Sequence, residues 1–220
     1  TTLEVEEALL HCAKAIMRSG LWTADEAAPK SDETPSSLYS FLASTPFVVL
    51  ATTDASGHTD VSPRGDPPGM IHRIDDTTIA IADRPGNRRT DTLHNLMQDP
   101  RIALLAIKPG SCTVAELRGT ARVCIDRSLL ESMRLRDRTP KAALVVAVEH
   151  QELRVDSALA SSLWDPGRRV AEATLPRAAA IWADHVRRNT DSGTGAKVAR
   201  RLVSKTALAA GVAYDYRNNL

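Results

Sequence analysis

Two short stretches carry residue types that can grip a charged ligand. "DVSPRGD" (60–66) offers a hydroxyl at Ser62 and a guanidinium at Arg64, with Pro63 between them and Gly65 after. "DRPGNRR" (83–89) offers Arg84, Arg88 and Arg89 around a Pro85-Gly86 turn, with Asn87 inside and Thr90 next. Arginine holds a phosphate through two parallel hydrogen bonds, and hydroxyls can complete such a cradle. The second stretch runs into a helical pattern, "TDTLHNLMQD" (90–99). An anion at a helix start meets unsatisfied N–H groups and the positive end of the dipole. On residue types alone, two readings stand: a cradle for a phosphate-like ligand, or a solvated arginine turn.

The elements around these stretches are mostly strands. "FVVLATT" (47–53) is rich in β-branched residues, "DASG" (54–57) is a turn in which Gly57 can take positive φ, and "HTDVSP" (58–63) alternates and pairs back. "GMIHRI" (69–74) and "TTIAIA" (77–82) form a second hairpin across Asp75-Asp76. "RIALLAI" (101–107), "CTVAELRGTARVCI" (112–125) and "AALVVAV" (142–148) read as further strands. Helical spacing is expected in 3–22 with Gly20 as its stop, in 37–44, 90–99 and 128–135, and then in about 151–163, 175–188 and 196–210. In the 90–99 helix, Leu93, Leu96 and Met97 are expected to face inward. Short strands, tight turns and flanking helices suggest a small closed β-barrel. The polar stretch 23–37 reads as a linker.

Bulk composition excludes several function classes. A net charge of +1 argues against a field-driven nucleic-acid binder, and 4% aromatic content leaves few stacking platforms for single strands. No apolar run approaches the roughly 20 residues of a membrane span. Cys12, Cys112 and Cys124 show neither CxxC pairing nor zinc spacing, and the six histidines form no metal pattern. With no signal-peptide pattern at the start, the expectation is a cytoplasmic protein without nucleic-acid or membrane partners and without a metal. "GTGAKVARR" (193–201) lacks the preceding strand and the Lys-Ser/Thr ending of a phosphate loop and reads as a flexible connection.

At the two motifs the sequence resembles a family. "FVVLATTDASGHTDVSPRGDPPGMI" (47–71) followed by "IADRPGNRRTDTLHNLMQDPRIALLAI" (81–107) is similar to the pyridoxamine 5′-phosphate oxidase-like flavoproteins, and within them to a bacterial subgroup marked by "SPRG" and "DRPGN". The resemblance covers about residues 38–150. It implies a mainly β fold with flanking helices, a six-stranded split β-barrel with helical extensions over 1–37 and 151–220. It implies FMN at a homodimer interface, its phosphate held by Ser62, Arg64, Asn87 and Arg89, with Arg88 ranked below Arg89. Backbone groups of Val61–Gly65 and of 83–87 would line the ring and ribityl chain, with Arg64 or Arg84 able to stabilise negative charge near the ring. The implied function is an FMN-dependent oxidoreductase acting on a small organic substrate, with no catalytic residue assigned.

The same resemblance has departures. The subgroup carries a tail of the form "VEEAFLHCAKAL.RS.LWDP" after its last strand. Here the matching segment is "VEEALLHCAKAIMRSGLW" (5–22), at the other end, while 148–164 aligns with it weakly and keeps "SLWDP" at 162–166. A tandem gene, a circular permutation and chance similarity of two amphipathic helices are all open readings. Since that tail helps wall the flavin site in the family, Arg18 and Trp22, or Trp164, could reach a ring; a core or interface anchor is the other reading for either tryptophan. Glu116 stands where a basic residue is common, and the arginine-histidine pattern used on vitamin B6 phosphate is missing. The competing readings are a non-catalytic flavin or haem binder and a degenerate structural barrel.

Overall fold

The computed structural model describes Glu4 and residues 10–22, 37–86 and 89–219. Two compact units divide the chain: Ala13–Arg168, and Arg169–Leu220 together with Thr1–Cys12. The expected linker at 23–36, Asn87, Arg88 and most of the first nine residues lie outside the described residues.

The larger unit is a split barrel. Its strands are β1 (Phe47–Thr53), β2 (Thr59–Gly65), β3 (Ile71–Arg73), β4 (Thr78–Asp83), β5 (Arg101–Ile107), β6 (Thr113–Cys124) and β7 (Ala142–Val155). All pair antiparallel in one curled sheet of order β2-β1-β5-β6-β7-β4-β3. The six strands implied by the resemblance become seven because the three-residue β3 pairs onto the edge of β4. β2 and β3 are edges, so the sheet is split rather than fully closed. Between β1 and β2, Gly57 takes φ 91°, which only glycine adopts readily. Asp54 completes that turn by accepting from the backbone N–H groups of Ser56 and His58 at 2.8 and 2.9 Å.

Alternation along the strands sorts the apolar side chains onto two faces. Inside lie Val48, Leu50, Ile79, Ile81, Leu104 and Val146, closed over by Phe41 and Leu42 of α2 (Leu38–Ser44) and Leu96 of α3 (Asp91–Leu96). A reciprocal Ser37–Ser40 capping box starts α2. Outside, Phe47, Ile107 and Val114 are covered by Ala15 of α1 (Lys14–Ser19), Leu21 and Trp164. A third cluster sets Ala80, Ala82, Ala143 and Val145 against Leu130 and Met133 at α4 (Arg127–Ser132).

Several sequence-based expectations change. Helix was expected over 151–163, yet β7 continues to Val155 and only α5 (Ala158–Ser162) is helical. Past a bulge at Arg118/Gly119, residues 150–155 pair with 113–118, and that ladder overrides local helical spacing. Met97, expected inward, is 81% exposed, because α3 ends at Leu96. Leu96 is buried and Leu93 packs partly buried against the core, as expected, joined by Thr92 and Asn95, and Asn95 donates to the Thr52 carbonyl and hydroxyl at 3.3 and 3.2 Å. Of the expected 3–22 helix, the described part is helical only over Lys14–Ser19 and stops at Gly20 as foreseen.

In the other unit, α6 (Ala178–Arg188) precedes α7 (Thr194–Leu202) and α8 (Lys205–Asn219). The single helix expected over 196–210 is broken at Val203-Ser204 into α7 and α8. Arg200 fixes the connection before α7 by donating to the carbonyls of Asn189 and Asp191 at 2.8 and 2.7 Å.

Candidate functional site

β2 aligns the first motif in register with β1: Thr52 faces Asp60, Leu50 faces Ser62 and Val48 faces Arg64. Cross-strand partners share a face, so Asp60, Ser62 and Arg64 form a polar row on the inner side of an edge strand. α3 lies along this row. The Ser62 hydroxyl donates to Asp60 Oδ2 at 2.7 Å, and the Thr92 hydroxyl donates to the same oxygen at 3.1 Å. Arg64 reaches the Thr92 hydroxyl at 3.5 Å and the Pro63 carbonyl at 3.1 Å. The alternate residues face outward: Val61 is exposed, while Gly65 is buried.

Gly65 is required by close packing. A Cβ there would lie 2.1 Å from the Ala15 carbonyl oxygen. The missing side chain admits the backbone of α1 against the end of β2. α1 in turn places Arg18, whose Nε donates to the Gly65 carbonyl at 2.9 Å and whose Nη1 reaches the Pro85 carbonyl at 3.3 Å.

Asp66 follows at once. Its side chain is 6% exposed, with Arg84 Nε on Oδ2 at 2.5 Å and Arg18 Nε 2.9 Å from Oδ1. Arg84 also donates to the Met133 carbonyl at 2.8 Å. Arg84 is thereby turned into the protein, holding the 84–86 turn against Asp66.

Arg64 is held more loosely. Its ion pair with Asp83 spans 3.9 Å, against 2.5 and 2.9 Å at Asp66. Burial pushes the Arg64 guanidinium below the usual arginine pKa; Asp83 and Asp60 oppose the shift, and Arg18 adds to it. Burial also raises the Asp83 carboxyl above the usual carboxylate range, with Arg64 and Arg18 opposing. Arg64 is therefore a partly desolvated guanidinium whose nearest carboxylate, Asp83, stands at long range.

The remaining sequence-derived site residues fall in three places. Pro85, Gly86, Arg89 and Thr90 are exposed after β4, and Arg89 pairs with Asp91 at 2.7 Å. Asn87 and Arg88 lie outside the described residues. Trp22 packs on Trp164, ring centroids 5.6 Å apart at 54°, and Trp164 is buried with its Nε1 donating to the Ser111 carbonyl at 2.7 Å. The sequence reading missed Asp60, Asp66, Asp83 and Thr92, the partners that orient the arginines. The signal was present: an aspartate flanks each motif at 60, 66 and 83. Among the described residues no His/Cys/Asp/Glu group could hold a metal, and no helix is long and apolar enough to cross a membrane.

No curated protein matches the chain. Among solved structures, it is similar to HupZ from Group A Streptococcus, with 20% identity over 49% of this chain and 84% of that one, TM-score 0.40. It is similar to general stress protein 26 from Bacillus anthracis, with 13% identity over 52% and 88% of the two chains, TM-score 0.42. It is similar to HutZ, the heme storage protein of Vibrio cholerae, with 15% identity over 53% and 90%, TM-score 0.37. The family model described as pyridoxamine 5′-phosphate oxidase matches residues 36–181, which take in every strand of the split barrel and both arginine motifs. The chain belongs to the pyridoxamine 5′-phosphate oxidase family.

Proposed function

We propose that this chain binds FMN and serves as an FMN-dependent oxidoreductase for a small organic substrate, working as a homodimer. The observation that carries the reading is Arg64: a half-withdrawn guanidinium, loosely paired at 3.9 Å, beside the hydroxyls of Ser62 and Thr92. Bound FMN would supply reversible hydride transfer, chemistry that no protein side chain provides.

The chain's own residues would bind and orient it. Arg64 and Arg89 would hold the phosphate, with Ser62 donating its hydroxyl. Asp60 keeps the Ser62 and Thr92 hydroxyls pointed at itself until a phosphate competes for them. Arg84 would act on the site through the 84–86 turn, since its Nε and Nη2 already serve Asp66 and Met133. α3 covers the polar row from one side, which limits water around Arg64 and strengthens its hold on an anion.

The test is an absorbance spectrum of the purified chain, with mass identification of what heat releases. Flavin bands and released FMN support the reading. A Soret band without flavin would move it to haem, and a colourless protein that ignores excess FMN would end it.

A further inference from the structure

Among the described residues of this unit, Asp66 is the carboxylate gripped by two arginines from different elements, Arg18 of α1 and Arg84 of the turn after β4. It sits two residues after Arg64 on the same strand end. Its oxygens are used unequally. Oδ2 accepts the Arg84 Nε–H directly, whereas Oδ1 is buried with no aligned hydrogen-bond donor. Arg18 approaches Oδ1 at 2.9 Å while its Nε–H is aimed at the Gly65 carbonyl. The carboxylate thus attracts Arg18 by charge and leaves the directional bond to the backbone next door. A buried charge with one directional partner is costly to hold unless both cations stay in place. Loss of the Asp66 charge should release α1 and the 84–86 turn together.

We propose that Asp66 is a positioning residue for the anion site: it ties α1 and the 84–86 turn to the end of β2, beside Arg64. This rests on the FMN reading for its ligand, but not for its mechanics. Asp66 itself touches no ligand in this scheme, because Arg18 and Arg84 fill the space around its oxygens.

The test compares the wild-type chain with Asp66→Asn, which keeps shape and removes charge. FMN and riboflavin, which lacks the phosphate, are titrated by flavin fluorescence, and amide hydrogen exchange is followed in α1 and at Arg84 and Gly86. The FMN dissociation constant should rise about tenfold while that of riboflavin changes less than about twofold. Exchange in α1 and at Arg84 and Gly86 should quicken together. An equal loss for both flavins, or faster exchange in only one of the two segments, overturns the proposal. If the wild-type chain ignores FMN, the functional reading fails, and the exchange arm alone decides whether Asp66 ties the segments. Should Asp66→Asn not fold, Arg84→Lys replaces it: a selective loss of FMN over riboflavin sustains the proposal, and unchanged FMN binding sinks it.

Discussion

The carbonyl oxygen of Ala15 occupies the place where a side chain on Gly65 would begin, 2.1 Å from the ideal Cβ position. This contact joins the N-terminal helix to the arginine motif, and through Arg18 it reaches the Gly65 and Pro85 carbonyls as well.

Gly65→Ala should therefore displace α1. Backbone cannot swing aside as a flexible side chain can, so the expected cost is about 1–3 kcal/mol or more. Urea denaturation with tryptophan emission checks it: a lower midpoint, and a red-shifted emission in the folded baseline as Trp22 leaves Trp164. A variant as stable as wild type would show that α1 does not need this approach.

Trp164 anchors the outer face of the sheet at 1% exposure. Trp164→Ala should cost about 3–5 kcal/mol through the lost packing. Trp164→Phe should cost about 1–3 kcal/mol, because the partly buried Ser111 carbonyl loses its donor. Chemical melts of the two variants give the comparison, and an equal effect would mean that the ring packing matters less than the indole hydrogen bond.

Stability should depend on pH through Asp83. Burial raises its carboxyl pKa, so the folded chain holds that proton more tightly than the unfolded one. The ionised carboxylate is then a penalty on the fold at pH above the raised folded value, and the penalty fades as pH falls through that value. Asp83→Asn should match or exceed wild-type stability near about pH 7, and its advantage should shrink toward about pH 4. Removing this competing anion should also tighten FMN binding at Arg64. Denaturation at several pH values checks the first effect and titration with FMN the second; an advantage that grows as pH falls would reverse the sign assigned to Asp83.

Much of this architecture was legible in residue order. Strand alternation, the Gly57 turn and the two arginine motifs all follow from short-range pattern, and the family match agrees with them. What escaped was set by pairing at a distance. Residues 151–155 look helical alone and become strand because β6 is long enough to meet them. Met97 fits an apolar helical stripe, but the helix ends one residue earlier. At the site, the arginines were visible as charge, whereas the division of labour among them was not. Arg84 and Arg64 are indistinguishable by type, and only the placement of Asp66 and Asp83 separates a tightly paired arginine from a loosely paired one. The like endings at 21–22 and 163–164 were visible as an echo; that their tryptophans would meet over one face of the sheet required the fold.

FMN binding turns on Arg64, and the most direct test is an FMN titration of wild type beside Arg64→Gln, with riboflavin as the control. Wild type should bind FMN and show flavin bands, and Arg64→Gln should weaken FMN about 10- to 100-fold with little change for riboflavin and an unchanged melting curve. FMN affinity that is the same in both proteins, or absent from the wild type, would contradict that role.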